Sequence, residues 1–149
     1  HGEIWIRTPT VMREYWHRDD ATAEALRDGW YRSGDGGYHD DEGYLFLTDR
    51  IKDLIVTGGE NVYPGEVEEA LRRFPNVYEV AVVALPDEKW GESVAAVVEC
   101  RPGTQVEPAA LIDFARTQVA PYKCPKRVWV VDALPRNDMG KVVKARLPR

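Results

Sequence analysis

The sequence is poor in several residues that would have settled its class at once. It has 2 cysteines, Cys100 and Cys124, among 149 residues. Their spacing fits neither a zinc site nor a disulfide framework, so reduced thiols in a cytoplasmic protein are expected. No apolar run approaches the roughly 18 residues of a membrane span. The N-terminus HGEIWIRTPT has no charged-then-apolar leader. It also lacks a starting Met, and a piece of a longer chain is the expected reading. A net charge of −5 argues against general nucleic-acid binding. What is present is a globular balance, 44% hydrophobic and 30% charged.

The charge is unevenly placed. From Tyr122 onward eight Lys or Arg face only Asp132 and Asp138. The last 28 residues therefore carry +6 and the preceding 121 carry −11. A basic segment on an acidic body suits a small polyanion such as a nucleotide or pyrophosphate. A solvated basic tail is the plainer alternative.

The pattern along the chain predicts an α+β fold, a small three-stranded sheet with flanking helices. Short β segments at Glu3–Arg7 and Gly43–Thr48 precede it, with a short helix through Ala21–Leu26 between them. The stretch 29–43, GWYRSGDGGYHDDEG, reads as turns and loops. Strands are expected at Leu54–Val56, Val77–Leu85, Val94–Cys100 and Val128–Val131. Pro64 starts a helix whose apolar stripe is Val67, Ala70, Leu71 and Phe74. Its acidic residues come first and its basic residues last, as the helix dipole prefers. A second helix is expected at Glu107–Val119, and a short helical tail at Lys141–Leu147. Residues 1–49 carry few apolar side chains and no obvious core. They read as the incomplete end of a preceding large domain, followed by a self-sufficient domain over 50–149.

Four clusters carry candidate chemistry. In Tyr31-Arg32-Ser33-Gly34-Asp35, an Asp in a Gly-rich turn suits a vicinal diol such as a ribose, or merely bonds its own backbone. Asp49-Arg50-Ile51-Lys52-Asp53 leads into Gly58-Gly59, where backbone could pass close to a ligand; an ordinary hairpin turn is the alternative. Asp87-Glu88-Lys89-Trp90-Gly91 places a Trp in a polar loop, where it could stack on a purine or flank a channel, or cover a sheet edge. Pro135-Arg136-Asn137-Asp138-Met139-Gly140-Lys141 sets one Lys on a Gly-containing loop. An ammonium there could neutralise charge growing on a phosphate, or be a surface Lys.

Taken together and in this order, these clusters resemble the adenylate-forming superfamily, and within it the acyl-CoA synthetases. The runs that carry the resemblance are GWYRSGD, DDEGYLFLTDRIKDLIVTGGENVYPGEVEEAL, PDEKWGE and LPRNDMGKVVK. The resemblance implies that Asp35 and Arg50 bind the ribose of ATP or acyl-AMP. It makes Lys52 the hinge, near 49–52, between a large and a small domain, and Lys141 the lysine of adenylation. Gly58 and Gly59 would line the pantetheine tunnel and Trp90 would lie beside coenzyme A. Tyr122, Lys123 and Lys126 would contact its phosphates. Cys124 departs from the pattern the resemblance implies, which has Arg at this position.

The implied reaction is a two-step activation of a carboxylic acid, fatty by first choice. ATP, with Mg2+ expected alongside it, gives acyl-AMP and pyrophosphate, and coenzyme A then takes the acyl group. No resident metal site is expected. The phosphate loop and acid pocket lie in the absent large domain, so the fragment alone is expected to be inactive. Self-association through unpaired strand edges of 1–49 is a further expectation. The competing readings are a carrier protein as acceptor, a peptide-synthetase adenylation domain, a luciferase-like enzyme, and a stand-alone module that binds coenzyme A or a nucleotide without catalysis.

Overall fold

The computed structural model describes residues 1–148, which divide into two compact units, residues 1–52 and 53–148. The first unit is a four-stranded sheet with one short helix. Its strands are β1 (Gly2–Ile6), β2 (Leu26–Arg27), β3 (Trp30–His39) and β4 (Leu45–Arg50), and α1 (Asp19–Ala25) precedes β2. β3 is central and pairs antiparallel with the other three. The Gly- and Asp-rich stretch expected to be loop is therefore mostly strand. The reason lies at Gly36 and Gly37, the only buried residues of this unit. A Cβ at Gly36 would stand 2.7 Å from Thr48 Oγ1, and one at Gly37 would stand 2.7 Å from the Phe46 carbonyl oxygen. Glycine is what lets the neighbours approach, and close approach is one of its uses within a strand. No apolar side chain of this unit is buried, whereas Trp16, Tyr44 and Leu47 are more than 60% exposed.

The second unit holds the core. Its strands are β5 (Ile55–Thr57), β6 (Glu60–Val62), β7 (Val77–Asp87), β8 (Gly91–Cys100) and β9 (Arg127–Val131). They form one five-stranded sheet, so the α+β expectation holds while the strand count rises from three to five. The strand expected at Leu54–Val56 is β5 and the strand not expected is β6; the two form a hairpin turned by Gly58 at φ +60° and Gly59 at φ +88°. Positive φ at both turn positions is the demand of a two-residue type I′ turn, which glycine meets without strain. β7 and β8 pair antiparallel through a three-residue loop, with Asp87 opposite Gly91. β9 runs parallel to β8 after a crossover through α3 (Pro108–Gln118).

Both faces of this sheet are covered, which is why β7 and β8 read as unbroken apolar runs. Val80, Val82, Val94, Ala96 and Val98 meet Val67 and Leu71 of α2 (Pro64–Arg72) and Leu111 and Ala115 of α3. The alternate residues Ala81, Val83, Leu85, Ala95 and Val97 meet Leu134 and Leu147. The chain after β9 thus closes the second face. It does so as a hairpin bridge between Arg136 and Val142 and one 3-10 turn at Lys144–Arg146, not as the helical tail expected over Lys141–Leu147. Among the described residues no helix is long and apolar enough to cross a membrane.

Candidate functional site

The candidate residues fall into three groups. In the first unit, Asp35 and Arg50 are direct partners in the β3–β4 register. Arg50 Nε lies 2.8 Å from Asp35 Oδ1, and both side chains are about half exposed, at 53% and 42%. Gly34, at φ +72°, has the Arg50 guanidinium 3.7 Å from where a Cβ would stand. Ser33 Oγ accepts the Asp35 backbone N–H at 3.0 Å and donates to the Ile4 carbonyl at 2.8 Å. The carboxylate is thereby set within β3, half exposed beside the guanidinium of Arg50, the last residue of β4. That arrangement offers an acceptor pair and a donor fork to a polar ligand. Lys52 is exposed in the 3-10 turn Ile51–Asp53, where the two units join.

The second group is built around Trp90 in the β7–β8 loop. Asp87 Oδ1 accepts the backbone N–H groups of Lys89 and Trp90, both at 3.0 Å, and so holds the loop closed. Gly58 donates its N–H to the Trp90 carbonyl at 2.9 Å. The indole lies directly over Gly58, where a Cβ would stand 2.7 Å from Cε3. Two ammonium groups flank the ring: Lys89 Nζ at 4.6 Å and Lys126 Nζ at 5.6 Å from the centroid. Lys126 also pairs with Asp87 at 2.9 Å. That hydrogen bond, strengthened by the backbone N–H groups of the loop, holds the Asp87 carboxyl below its ordinary value. The structure thus brings Gly58, Trp90 and Lys126 into one half-exposed aromatic and cationic surface, with Gly59 beside it in the turn.

Tyr122 and Lys123 stand on the 3-10 turn Pro121–Lys123 that follows α3. Lys123 Nζ bonds both oxygens of Glu66 at 2.7 Å and lies 5.7 Å from the Tyr122 ring centroid. The Glu66 bond raises the Lys123 ammonium above its ordinary pKa. Cys124 points the other way. It is 8% exposed, its Sγ is 3.5 Å from the Ala120 carbonyl oxygen, and burial pushes its thiol up. This position therefore offers a phosphate nothing in this chain.

The third group is Lys141 on its hairpin. Asn137 Oδ1 accepts the backbone N–H of Met139 at 3.1 Å and of Lys141 at 2.9 Å. Asn137 N–H donates back to the Lys141 carbonyl at 2.9 Å, and Arg136 Nη1 donates to the Gly140 carbonyl at 3.0 Å. The turn is fixed by its own side chains while Lys141 stays exposed. Four lysines follow Tyr122, and Lys123, Lys126 and Lys144 each hold a carboxylate. Among the described residues Lys141 has no ion-pair partner. Its ammonium is the one of the four left for a ligand.

Glu66 and Asp87 escaped the sequence reading as partners of Lys123 and Lys126. They lie 57 and 39 positions away, and no local pattern joins them. The Asp-x-x-Trp spacing of the loop did carry a turn signal. No group of three or more His, Cys, Asp or Glu among the described residues could hold a metal ion.

Comparison with known proteins bears on these three groups together. A long-chain-fatty-acid–CoA ligase of Mycobacterium tuberculosis is 47% identical over 146 residues, which are 98% of this chain and 29% of that protein. A fatty acid–[acyl-carrier-protein] ligase of Streptomyces coeruleorubidus is 49% identical over 146 residues, 98% of this chain and 28% of that one. The solved o-succinylbenzoate CoA synthetase of Bacillus subtilis, in complex with its acyl-adenylate intermediate, superposes with a TM-score of 0.88 at 39% identity. That match covers 99% of this chain and 31% of the synthetase. The chain thus spans under a third of the length of the relatives it matches. Residues 66–141, which run from the Lys123 partner Glu66 through the Trp90 loop to Lys141, match the model of the AMP-binding enzyme C-terminal domain, and the chain belongs to that family.

Proposed function

We propose that this chain is the C-terminal part of an ATP-dependent acid–thiol ligase, and that Lys141 serves its first chemical step. In that step a carboxylate attacks the α-phosphate of ATP, the bond to pyrophosphate breaks, and acyl-AMP forms. In the second, the thiol of coenzyme A attacks the acyl carbonyl and AMP leaves. The observation that carries the proposal is the unpaired Lys141 ammonium on a self-fixed turn, within a segment whose other lysines are all neutralised. Such a charge is worth most where negative charge is still growing, as on a phosphate in displacement.

The other two groups take the remaining roles. Asp35 and Arg50 bind the ribose hydroxyls. Gly58, Gly59 and Trp90, with Tyr122, Lys123 and Lys126, form the coenzyme A surface, its cations facing the phosphates and its indole facing the base or the tunnel. Lys52 is the hinge on which residues 50–149 turn between the two steps. Residues 1–49 close a large domain not contained in this chain, a reading supported by their lack of any buried apolar side chain. Mg2+ accompanies ATP as its counter-ion. The acid is a fatty acid by first choice, which the name of the mycobacterial relative supports, and the setting is a reducing cytoplasm. The 149 residues alone are not expected to turn over.

The test uses the full-length enzyme that contains this chain. Lys141→Ala should lower acid-dependent ATP–pyrophosphate exchange by about a hundredfold or more. Thioester formation from supplied acyl-AMP and coenzyme A should stay near wild type. A wild-type enzyme with neither activity across fatty, aryl and short-chain acids would leave a binding module without catalysis. A second reading, a carrier protein as acceptor, is favoured by the 49% identity to a ligase named for one. Supplying phosphopantetheinylated carrier protein in place of coenzyme A separates the two.

A further inference from the structure

The hairpin that carries Lys141 is rigid within itself, but its place on the domain is set from outside. Two leucines anchor its flanks: Leu134, 3% exposed, and Leu147, 6% exposed, both against the second face of the sheet. Greasy contacts of this kind fix depth more than direction, since they have no preferred bond angle. Direction comes from two carboxylates of the domain body. On the entry side, Glu99 Oε2 of β8 accepts the Leu134 backbone N–H at 2.9 Å. On the exit side, Glu68 Oε1 of α2 holds Lys144 Nζ at 2.9 Å.

Glu68 does more than hold a lysine. The same oxygen accepts the Val82 backbone N–H at 2.9 Å. Among the described residues β7 pairs only with β8, so that N–H lies on the free edge of the sheet. One carboxylate therefore joins α2, the edge of β7 and the segment carrying Lys141. The pair is largely withdrawn from water, with side-chain exposures of 24% for Lys144 and 15% for Glu68. Among the described residues two other ion pairs of this unit are far more exposed, Arg73–Glu69 at 63% and 69% and Arg116–Asp113 at 65% and 70%. A pair so covered is costlier to break than an exposed one, because removing either member leaves the other charge less solvated.

We infer that Glu68 and Lys144 are positioning residues for Lys141, a largely covered tether that fixes where its ammonium is presented. The inference rests on the adenylating role proposed above for Lys141. Lys144 is three residues beyond Lys141, so a slip at the tether displaces the ammonium directly. Effective catalysis by a positioned charge is steeply sensitive to such displacement. The tether predicts an effect confined to the step that uses Lys141. A pair that only stabilised the fold would affect both steps alike.

The variants are Glu68→Gln, whose amide oxygen can still accept the Val82 N–H, and Lys144→Gln. In the full-length enzyme each should lower ATP–pyrophosphate exchange by between about tenfold and a hundredfold. Thioester formation from supplied acyl-AMP should stay within about twofold. The double variant should be no worse than either single, as expected of residues that act as one unit. Lys144→Arg, which keeps the charge, should restore most of the exchange. Equal loss in both half-reactions, no loss in either, or simple additivity of the two singles would each overturn the assignment.

A second readout is independent of any activity. In the 149-residue chain, Glu68→Gln should speed amide hydrogen exchange at Val142–Leu147 while leaving the β7–β8 amides protected. If the wild-type enzyme shows no exchange activity with any acid, the role of Lys141 has failed, and this measurement still decides the tether. Faster exchange at Val142–Leu147 supports it, and unchanged exchange overturns it.

Discussion

Gly58 and Trp90 occupy each other's space: a Cβ on residue 58 would lie 2.7 Å from Cε3 of the indole. Its neighbour Gly59 meets nothing within 4 Å, yet has the larger positive φ, +88° against +60°. The two glycines of one turn are thus required for different reasons. Gly59→Ala should cost only the left-handed backbone penalty, about 1–2 kcal/mol. Gly58→Ala should cost that and also force the ring aside, so it should melt several degrees lower than Gly59→Ala and shift the Trp emission. If the indole borders the coenzyme A thiol, Gly58→Ala should slow thioester formation and spare ATP–pyrophosphate exchange. Equal melting of the two variants would show that the ring yields freely.

The Asp35–Arg50 pair invites the opposite prediction. With side chains 42% and 53% exposed, a surface ion pair is worth at most about 1 kcal/mol. Asp35→Asn should therefore leave the melting temperature nearly unchanged. In the full-length enzyme it should raise KM for ATP, because a carboxylate that accepts from two hydroxyls is replaced by an amide with one acceptor and one donor. Thermal denaturation and steady-state kinetics on the same variant check both halves. A large loss of stability with unaltered ATP kinetics would make the pair structural.

These contrasts show what a linear reading could reach. The stripe of Val67, Ala70 and Leu71, opened by Pro64, announces α2, and all four are buried as a helix face requires; Phe74, the fourth residue of the expected stripe, lies beyond the helix end at Arg72 and is partly buried against the core. The unbroken Val-rich runs announce β7 and β8, because both faces of that sheet are covered. β3 was hidden for the converse reason. Gly and Asp are poor strand formers, but Gly36 and Gly37 are in a strand because Thr48 and Phe46 leave no room for a side chain. That pressure comes from β4, which only folding brings near. The tail after Lys141 looked helical by composition. Asn137 and Arg136 instead tie it into a hairpin, and Leu147 must still reach the sheet. At the candidate site the lysines and Trp90 were legible as types. Their pairing, which separates Lys141 from the rest, was not, since each partner is distant in sequence.

The cations beside Tyr122 and Trp90 carry a pH signature. Lys123 is raised by its bond to Glu66, so its folded pKa exceeds the unfolded one. That pair's contribution is complete below about pH 10.4, the unfolded value, and is lost as pH climbs through the folded one. Asp87 is lowered by Lys126, so its contribution is complete above about pH 3.9 and is lost as pH falls through the folded value. Lys123→Gln should flatten the alkaline limb of the stability curve and leave the acid limb alone. Asp87→Asn should do the reverse. Urea unfolding of the two variants between pH 3 and 11 checks this, and a change on the wrong limb in either variant would sink the assignment.

The two cysteines should differ in reactivity by their surroundings alone. Both are free thiols, Cys100 half-buried and Cys124 buried. Burial pushes the Cys124 pKa up, partly opposed by the charge of Arg116. Its sulfur lies 3.5 Å from the Ala120 carbonyl oxygen, an orientation toward the backbone and away from a reagent. The thiolate is the reactive form, so a raised pKa and a covered sulfur both slow attack. With an aromatic disulfide reagent at neutral pH, the native chain should release one equivalent from Cys100 first. Cys124 should follow only on the timescale of local or global opening. In denaturant the two should react together, since both the cover and the raised Cys124 pKa vanish with the fold. Cys100→Ala in the native chain should leave only the slow phase. A fast phase persisting in that variant would mean that Cys124 is accessible, and that the turn after α3 opens far more readily than its packing implies.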